Sequence, residues 1–416
     1  MTGRLDLIIR RARLRGAPGR LVDIGIAGGR IAAIEGRLEH DGGAEVDAGG
    51  GLVTESFVNP HLHLCKAWTR PLIDEAAGRD YQGAGMGRAM SAIERAATVK
   101  ARYEQSWVAG HARRAVALGA LHGNLHVRAF ADVDSKARLE AVKALLQVRE
   151  EFRGVVDIQV VAFAQDGIVR EEGAAGLLRE AMDLGADVVG GIPWIEYTDE
   201  EAAEHIRVCF DLARRSDTDV SMLLDDAGDP GLRTLEMMAV ETLRRGWEGR
   251  ALAHHCRAMA LYPLPYFHRL AGTLRRARVS VVSDPHTGPL HARVRELREE
   301  GLNVCLGQDD IADAYYPFGR SSMLEVAFLA AHLLWMMDRS DLEALYDMIT
   351  VDAARAINLD GYGLRPGAVA DLVVLNAPDV TEALRHHERP ARVVARGRLL
   401  DEAAMSRLAA PAEGPL

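Results

Sequence analysis

The chain has 416 residues, enough for one large domain with a smaller companion, and its 48% apolar and 26% charged residues supply a sizeable core. A net charge of −10 offers no basic face, which sets nucleic-acid binding aside. The four cysteines (Cys65, Cys209, Cys256 and Cys305) are scattered and form no C-x-x-C, as expected of a reducing cytoplasm.

The N-terminal stretch MTGRLDLIIRRARLRG lacks the long apolar segment of a secretory signal. The segments LDLIIRRARL, LVDIGIAGGRIAAIEG and AEVDAGGGLV read as short strands, punctuated by Gly28-Gly29 and Gly49–Gly51. The end of the chain reads alike, in GYGLRPGAVADLVVLNA and PARVVARGRLL. The two termini are expected to combine into one small β-sandwich, built from residues 1–55 and 363–416. The most membrane-like stretch, residues 323–337, is short and interrupted by Glu325 and His332, so it predicts a buried helix and no membrane span. The pair His386-His387 is expected in solvent.

Between the termini, short apolar runs alternate with longer helical stretches. Eight such runs fall at residues 55–62, 121–132, 156–165, 186–193, 219–226, 250–255, 279–286 and 303–310. Eight β/α units predict a closed (β/α)8 TIM-like barrel over residues 56–362. Most of the runs end on a polar group: His61, Asp132, Gln165, Asp226, His255, His286 and Asp309. In such a barrel the active site lies at the C-terminal ends of the strands.

The first run carries FVNPHLHLCK. Alternation along a strand turns His61 and His63 to one face, with Leu62 and Leu64 on the other. Among 15 histidines an H-x-H is a weak signal alone; its weight comes from His255 and Asp309 at the ends of other runs. Imidazoles with a carboxylate suit Zn²⁺ or Fe²⁺ and leave a position for water, which such an ion acidifies. His254 is expected to face away from His255 and to be structural. Neither a G-x-G-x-x-G after a strand nor a Walker-type loop is present, so no nucleotide cofactor is indicated.

FVNPHLHLCK, VVAFAQDGI, LGADVVGGIPWIEYT, GQDDIADAYYPFG and GYGLRPGAVADLVVLNA together resemble the amidohydrolase superfamily. The likeness is to its cytosine deaminase-like branch, which includes hydrolases of substituted triazines. The resemblance spans nearly the whole chain. It implies a metal-dependent hydrolase acting on a C–N bond of a small heterocycle, and a homo-oligomer. It also implies one zinc or iron ion held by His61, His63 and Asp309, proton transfer by His255 and Asp309, and a substrate contact from Gln165.

The pattern then breaks. Where the family has His-x-Asp-Glu at the fifth barrel strand, this chain has Leu223-Leu224-Asp225-Asp226. A metal-binding imidazole is replaced by leucine, and the proton-carrying glutamate by the shorter Asp226. Phe130 and Trp194 stand where histidines are common, and Cys65 where an aspartate is frequent, while Lys66 is kept. Either the ion is retained, with His255 moving in as a ligand and the pocket reshaped for a bulkier substrate, or it is weakened or lost and hydrolysis with it. Candidate substrate contacts are Gln165, Trp194, Phe130, Lys66 and His286; Asp226 is a candidate acid/base. Three functions stay open: ring deamination, cleavage of an N-alkyl, amide or urea bond, and a non-catalytic binding homologue.

Overall fold

The computed structural model describes residues 4–411 apart from 18, 40–42, 73–78 and 80–82. The chain opens with β1 (Leu7–Arg13), β2 (Leu21–Ala27), β3 (Arg30–Glu35) and β4 (Ala44–Asp47), which pair in the order β3-β2-β1-β4. β5 (Val53–Glu55) leaves that sheet and pairs antiparallel with a strand from the far end of the chain.

Eight barrel strands follow: β6 (Phe57–Leu62), β7 (Asn124–Asp132), β8 (Asp157–Phe163), β9 (Val188–Gly191), β10 (Asp219–Leu224), β11 (Ala251–His255), β12 (Ser280–Ser283) and β13 (Val304–Leu306). Each pairs in parallel with the next, and helices intervene. A bridge between Leu62 and Asp309 brings the last strand back to the first. This is the (β/α)8 barrel expected from the eight apolar runs.

The faces of the strands divide as the alternation predicts. On β7, Leu125, Val127, Ala129 and Ala131 pack outward in one core with helical residues such as Val108, Ala112 and Leu145. Val58, Leu252, Val282 and Cys305 close the floor together with Ala353 and Ile357. Helix ends obey ordinary capping rules: the Thr198 side chain accepts from the Glu201 N–H, and Asp199, Glu200 and Glu201 crowd the positive first turn of helix Asp199–Ser216.

β14 (Leu372–Val374), β15 (Arg392–Ala395) and β16 (Arg398–Leu399) join β5 in a second four-stranded sheet. Leu7, Ile9, Ile24 and Ile26 of the first sheet share a core with Val53, Leu372, Val374 and Val394 of the second. Helix Glu402–Ala409 returns to the barrel, where Arg114 Nε donates to the Ala409 carbonyl at 3.2 Å. Residues 323–333 form a helix, shorter than the expected 323–337: it is buried along Met323, Leu324, Val326, Ala327, Ala330 and Ala331, while Leu333, Trp335 and Met337 are exposed. No helix among the described residues is long and apolar enough to cross a membrane. His386 is exposed, whereas His387 is half-buried and stacks on Phe328 with ring centroids 4.5 Å apart.

Candidate active site

Three strand ends share an unusual backbone. Asp225, His255 and Asp309, none of them glycine, have φ of 48°, 65° and 66°. Left-handed φ costs energy for such residues and clusters where side chains must be aimed. At the barrel seam the His63 N–H donates to the Asp309 carbonyl at 2.8 Å, and the Asp309 N–H to the His61 carbonyl at 2.9 Å. The first and eighth strands are therefore locked together where the H-x-H and the terminal aspartate stand.

His61 Nε2 lies 3.0 Å and His63 Nε2 3.7 Å from Asp309 Oδ1. One donor atom from each of the three residues falls within 4.8 Å of the others. The His61 and His63 rings stand perpendicular, 4.9 Å apart, and the Nδ1 of each is buried without a hydrogen-bond partner. Burial holds His61 and His63 below the ordinary histidine pKa, so both rings present neutral nitrogens. Two neutral imidazoles and a carboxylate in a buried recess fit a divalent cation. A second compact group, His255, Asp284 and Asp309, shares Asp309 with the first.

His255 Nδ1 sits 2.8 Å from Asp284 Oδ2. Burial opposes its protonation, but Asp226, Asp284 and Asp309 outweigh it and lift the pKa to about 9. Arg257 ties the group together. Its Nε donates to Asp226 Oδ1 at 2.7 Å, and its Nη2 to Asp284 Oδ2 at 3.0 Å and Thr287 Oγ1 at 2.7 Å. Thr287 Oγ1 in turn lies 2.9 Å from Asp309 Oδ2. Burial works against the Asp284 carboxylate, yet Arg257 and His255 hold it well below the usual carboxylate range. Asp226 goes the other way: burial lifts its pKa, with Asp284 and Asp309 adding to the effect against His255 and Arg257.

The neighbouring Asp225 has a structural duty. It accepts from the Thr234 N–H at 2.7 Å and from Tyr262 Oη at 2.5 Å, at the start of helix Thr234–Arg245. Helix capping thus falls to Asp225, which leaves Asp226 to face the recess.

The recess is small, about 20 Å³, and is lined by His63, Lys66, Gln165, Asp226, His255 and Asp309, with Asp310, Tyr315, Leu223, Ile192 and Ile93 completing the wall. Lys66 Nζ donates to Gln165 Oε1 at 2.7 Å and sits 5.0 Å from the Tyr315 ring centroid. Burial opposes the ammonium charge, but Asp132, Asp310 and Asp313 outweigh it, so Lys66 stays a cation. His61 lies behind this lining, fully buried.

Three expected substrate contacts do not line the recess. Phe130 is carried by its strand beneath the histidines, with ring centroids 4.4 Å from His61 and 5.2 Å from His63. Trp194, on the turn Pro193–Ile195, packs in an apolar cluster with Phe130, Ile93 and Leu223. His286 is held by its Nε2 contact to the Gln308 carbonyl at 3.2 Å, beside Tyr316.

His254 reverses its expectation. It points into the barrel, its ring 4.6 Å from that of His61 and 5.1 Å from Phe130. Strand alternation holds through His254; the left-handed φ of His255 then swings that residue toward the same interior. Arg257, Asp284 and Thr287 went unnoticed in the sequence. Asp284 left a trace, as a carboxylate directly after the seventh apolar run, two residues before the more conspicuous His286.

Comparison with known proteins identifies the family. Residues 44–401 match the amidohydrolase family. N-isopropylammelide isopropyl amidohydrolase of Pseudomonas sp. strain ADP is 32% identical over 413 residues, covering 96% of this chain and 98% of that protein. The crystal structure of 5-methylcytosine deaminase from Klebsiella pneumoniae liganded with 5-fluorocytosine superposes with a TM-score of 0.87 at 31% identity, covering 94% and 97% of the two chains. N-isopropylammelide isopropylaminohydrolase from Burkholderia multivorans superposes with a TM-score of 0.84 at 28% identity, again covering 94% and 97%. The chain belongs to the amidohydrolase family. It is a hydrolase acting on C–N bonds, which sets aside the non-catalytic reading of Leu223.

Proposed function

We propose that the protein is a metal-dependent hydrolytic deaminase that removes an exocyclic amine from a small N-heterocycle. The observation that carries this reading is a single recess lined by His63, Asp309, His255 and Asp226 together with the Lys66–Gln165 pair, with His61 buried directly behind it. His61, His63 and Asp309 would hold one zinc or iron ion. Bound there, such an ion would supply a Lewis acid and acidify a water molecule.

The remaining work belongs to the protein's own groups. Gln165 and Lys66 orient the ring by hydrogen bonds to its heteroatoms; the Lys66 ammonium favours a ring oxygen carrying negative charge. His255, steadied through Nδ1 by Asp284, stabilises charge that develops on the oxygen adding to the ring and takes part in proton movement with Asp309. Asp226, aimed by Arg257, passes a proton to the ring nitrogen or the leaving amine. Phe130 and Trp194 back the wall of the pocket. A recess of about 20 Å³ holds little more than a water molecule, so a ring is admitted only when part of its lining moves aside.

A second reading keeps the site and changes the leaving group to an alkylamine. Leu223, Ile192 and Ile93 along one wall favour an apolar N-substituent. A panel pairing amino with N-isopropylamino triazines and pyrimidines, assayed for ammonia and isopropylamine, separates the two. Ammonia release sustains deamination; isopropylamine release alone replaces it with the second reading. Purified protein grown with ample zinc and iron is expected to carry about one equivalent of metal per chain. Less than about a tenth of an equivalent would count against both readings.

A further inference from the structure

The fifth-strand position that the family resemblance fills with an imidazole carries Leu223 here. In the parallel ladder between β10 and β11, Leu223 stands opposite His254, and Leu224 opposite His255. Ladder partners in a parallel pair present their side chains to the same face. An imidazole missing from one strand is thus matched by an imidazole at the adjoining rung of the next.

His254 is wholly buried, and neither of its ring nitrogens has a hydrogen-bond partner. Such a group is uncommon in a native interior and calls for a partner that completes it. Its surroundings narrow the choice. The ring lies 4.6 Å from His61, tilted by 41°, and packs on Phe130, which offers no hydrogen bond. The imidazole it faces, His61, belongs to the compact set of His61, His63 and Asp309.

The competing donor, His255, stands in the second compact group, with Asp284 and Asp309, where its Nδ1 is held by Asp284 and its side chain lines the recess beside Asp226. His254 faces His61 without any such commitment.

We propose that His254 takes the place of the absent fifth-strand imidazole, so that one divalent cation is held by His61, His63, His254 and Asp309. The inference rests on the metal-dependent reading above and names a ligand that reading lacks. The His254 nitrogens lie outside the compact three-residue set, so joining it takes a rotation of the ring about its side-chain bonds. Leu223 then has a simple role: a side chain that leaves room beside the rotated imidazole and closes the cation from the fifth strand.

The test is zinc binding by the full-length protein, stripped of metal and titrated with Zn²⁺ against a chromophoric chelator. Wild type is expected to bind one Zn²⁺. H254N is expected to bind at least ~100-fold more weakly, and L223H/H254N to recover most of the loss, because the imidazole returns on the neighbouring strand. Wild-type affinity in H254N overturns the proposal and leaves the metal-dependent reading standing. No zinc binding by wild type overturns both. Co²⁺-loaded H255N supplies a measurement that does not depend on H254N folding: proton NMR in water should show three solvent-exchangeable, hyperfine-shifted imidazole N–H signals. Two signals overturn the proposal.

Discussion

Arg128 and Arg257 are the two largest fully buried side chains among the described residues, and they sit at opposite ends of the same barrel. Near the floor, Arg128 donates to Gln159 Oε1 at 2.8 Å, Ser221 Oγ at 3.0 Å and Asp219 Oδ2 at 3.2 Å. These groups belong to strands β8 and β10, and none lines the recess; the guanidinium bridges strands and is itself satisfied. At the mouth, Arg257 holds Asp226 and Asp284, carboxylates that would repel each other without it. One arginine fixes the scaffold, and the other aims the groups that face the recess. Identical chemistry and equal burial therefore serve the scaffold at one end and the proposed site at the other.

The contrast is broken most directly at Asp309. This residue closes the seam through its backbone and joins both compact donor groups through its carboxylate. D309N keeps the backbone bonds and removes the charge. The expected result is metal content below about a tenth of an equivalent and turnover reduced ~10³-fold or more, with a nearly unchanged unfolding curve when both proteins are compared metal-free. Metal analysis, a turnover assay and chemical denaturation check the three. Retained metal would mean that the mouth is organised around some other group.

The two arginines give the next largest effects, in opposite readouts. R128M strands part of the floor network and is expected to cost about 3 kcal/mol of stability while leaving metal content alone. R257K keeps the positive charge and loses the planar fork that spans Asp226, Asp284 and Thr287. Turnover is expected to fall ~10²-fold through misplaced carboxylates, with metal content intact. If R128M lowers metal content as well, the two ends are not separable.

A smaller effect tests the floor by pH. His126, at the start of the second barrel strand, has Nδ1 3.3 Å from Asp157 and Nε2 3.5 Å from Asp371, which joins barrel to sandwich. Burial opposes its charge, but the two carboxylates win and raise its pKa above the ordinary value near 6.5. The folded state therefore binds this proton more tightly than the unfolded chain. The resulting stability is fully present below pH ~6.5 and is lost as pH rises through the folded-state pKa. The stability gap between wild type and H126Q should be wider at pH 5.5 than at pH 9. A gap that stays constant, or widens with pH, would show that the imidazolium does not act as the clamp.

The same contrast explains what could be read from the sequence. Barrel and paired sheets were legible because strand periodicity and turn residues are local signals. His61, His63, Gln165, His255 and Asp309 were legible because each ends or follows an apolar run. Legibility failed where the backbone leaves the strand with left-handed φ, as at Asp225 and His255. There alternation no longer assigns a face, so His254 was turned the wrong way. Of the two adjacent carboxylates, it is Asp225 that caps the following helix, which adjacency in sequence does not reveal. Arg257 was illegible for another reason: a lone arginine in HHCRAMA reads as surface charge, and only the fold brings Asp226, Asp284 and Thr287 around it.

Location at the mouth alone does not make a residue functional, and Thr198 is the case that sharpens the point. The segment from Ile192 to Thr198 rises from the same end of the barrel as the recess and carries Trp194. Glu196 fastens it from below, accepting from the Ile168 N–H at 2.7 Å and meeting His205 Nδ1 at 2.6 Å. Thr198 then caps helix Asp199–Ser216 by accepting from the Glu201 N–H at 3.1 Å. Its hydroxyl reaches no residue of the recess. T198A is therefore expected to cost about 1 kcal/mol in denaturant unfolding and to leave zinc affinity and turnover within about twofold of wild type. A larger change in either would mean that this segment and the donor residues move as one unit. The division between aiming and holding would then have to be drawn around Arg257 and Asp284 alone.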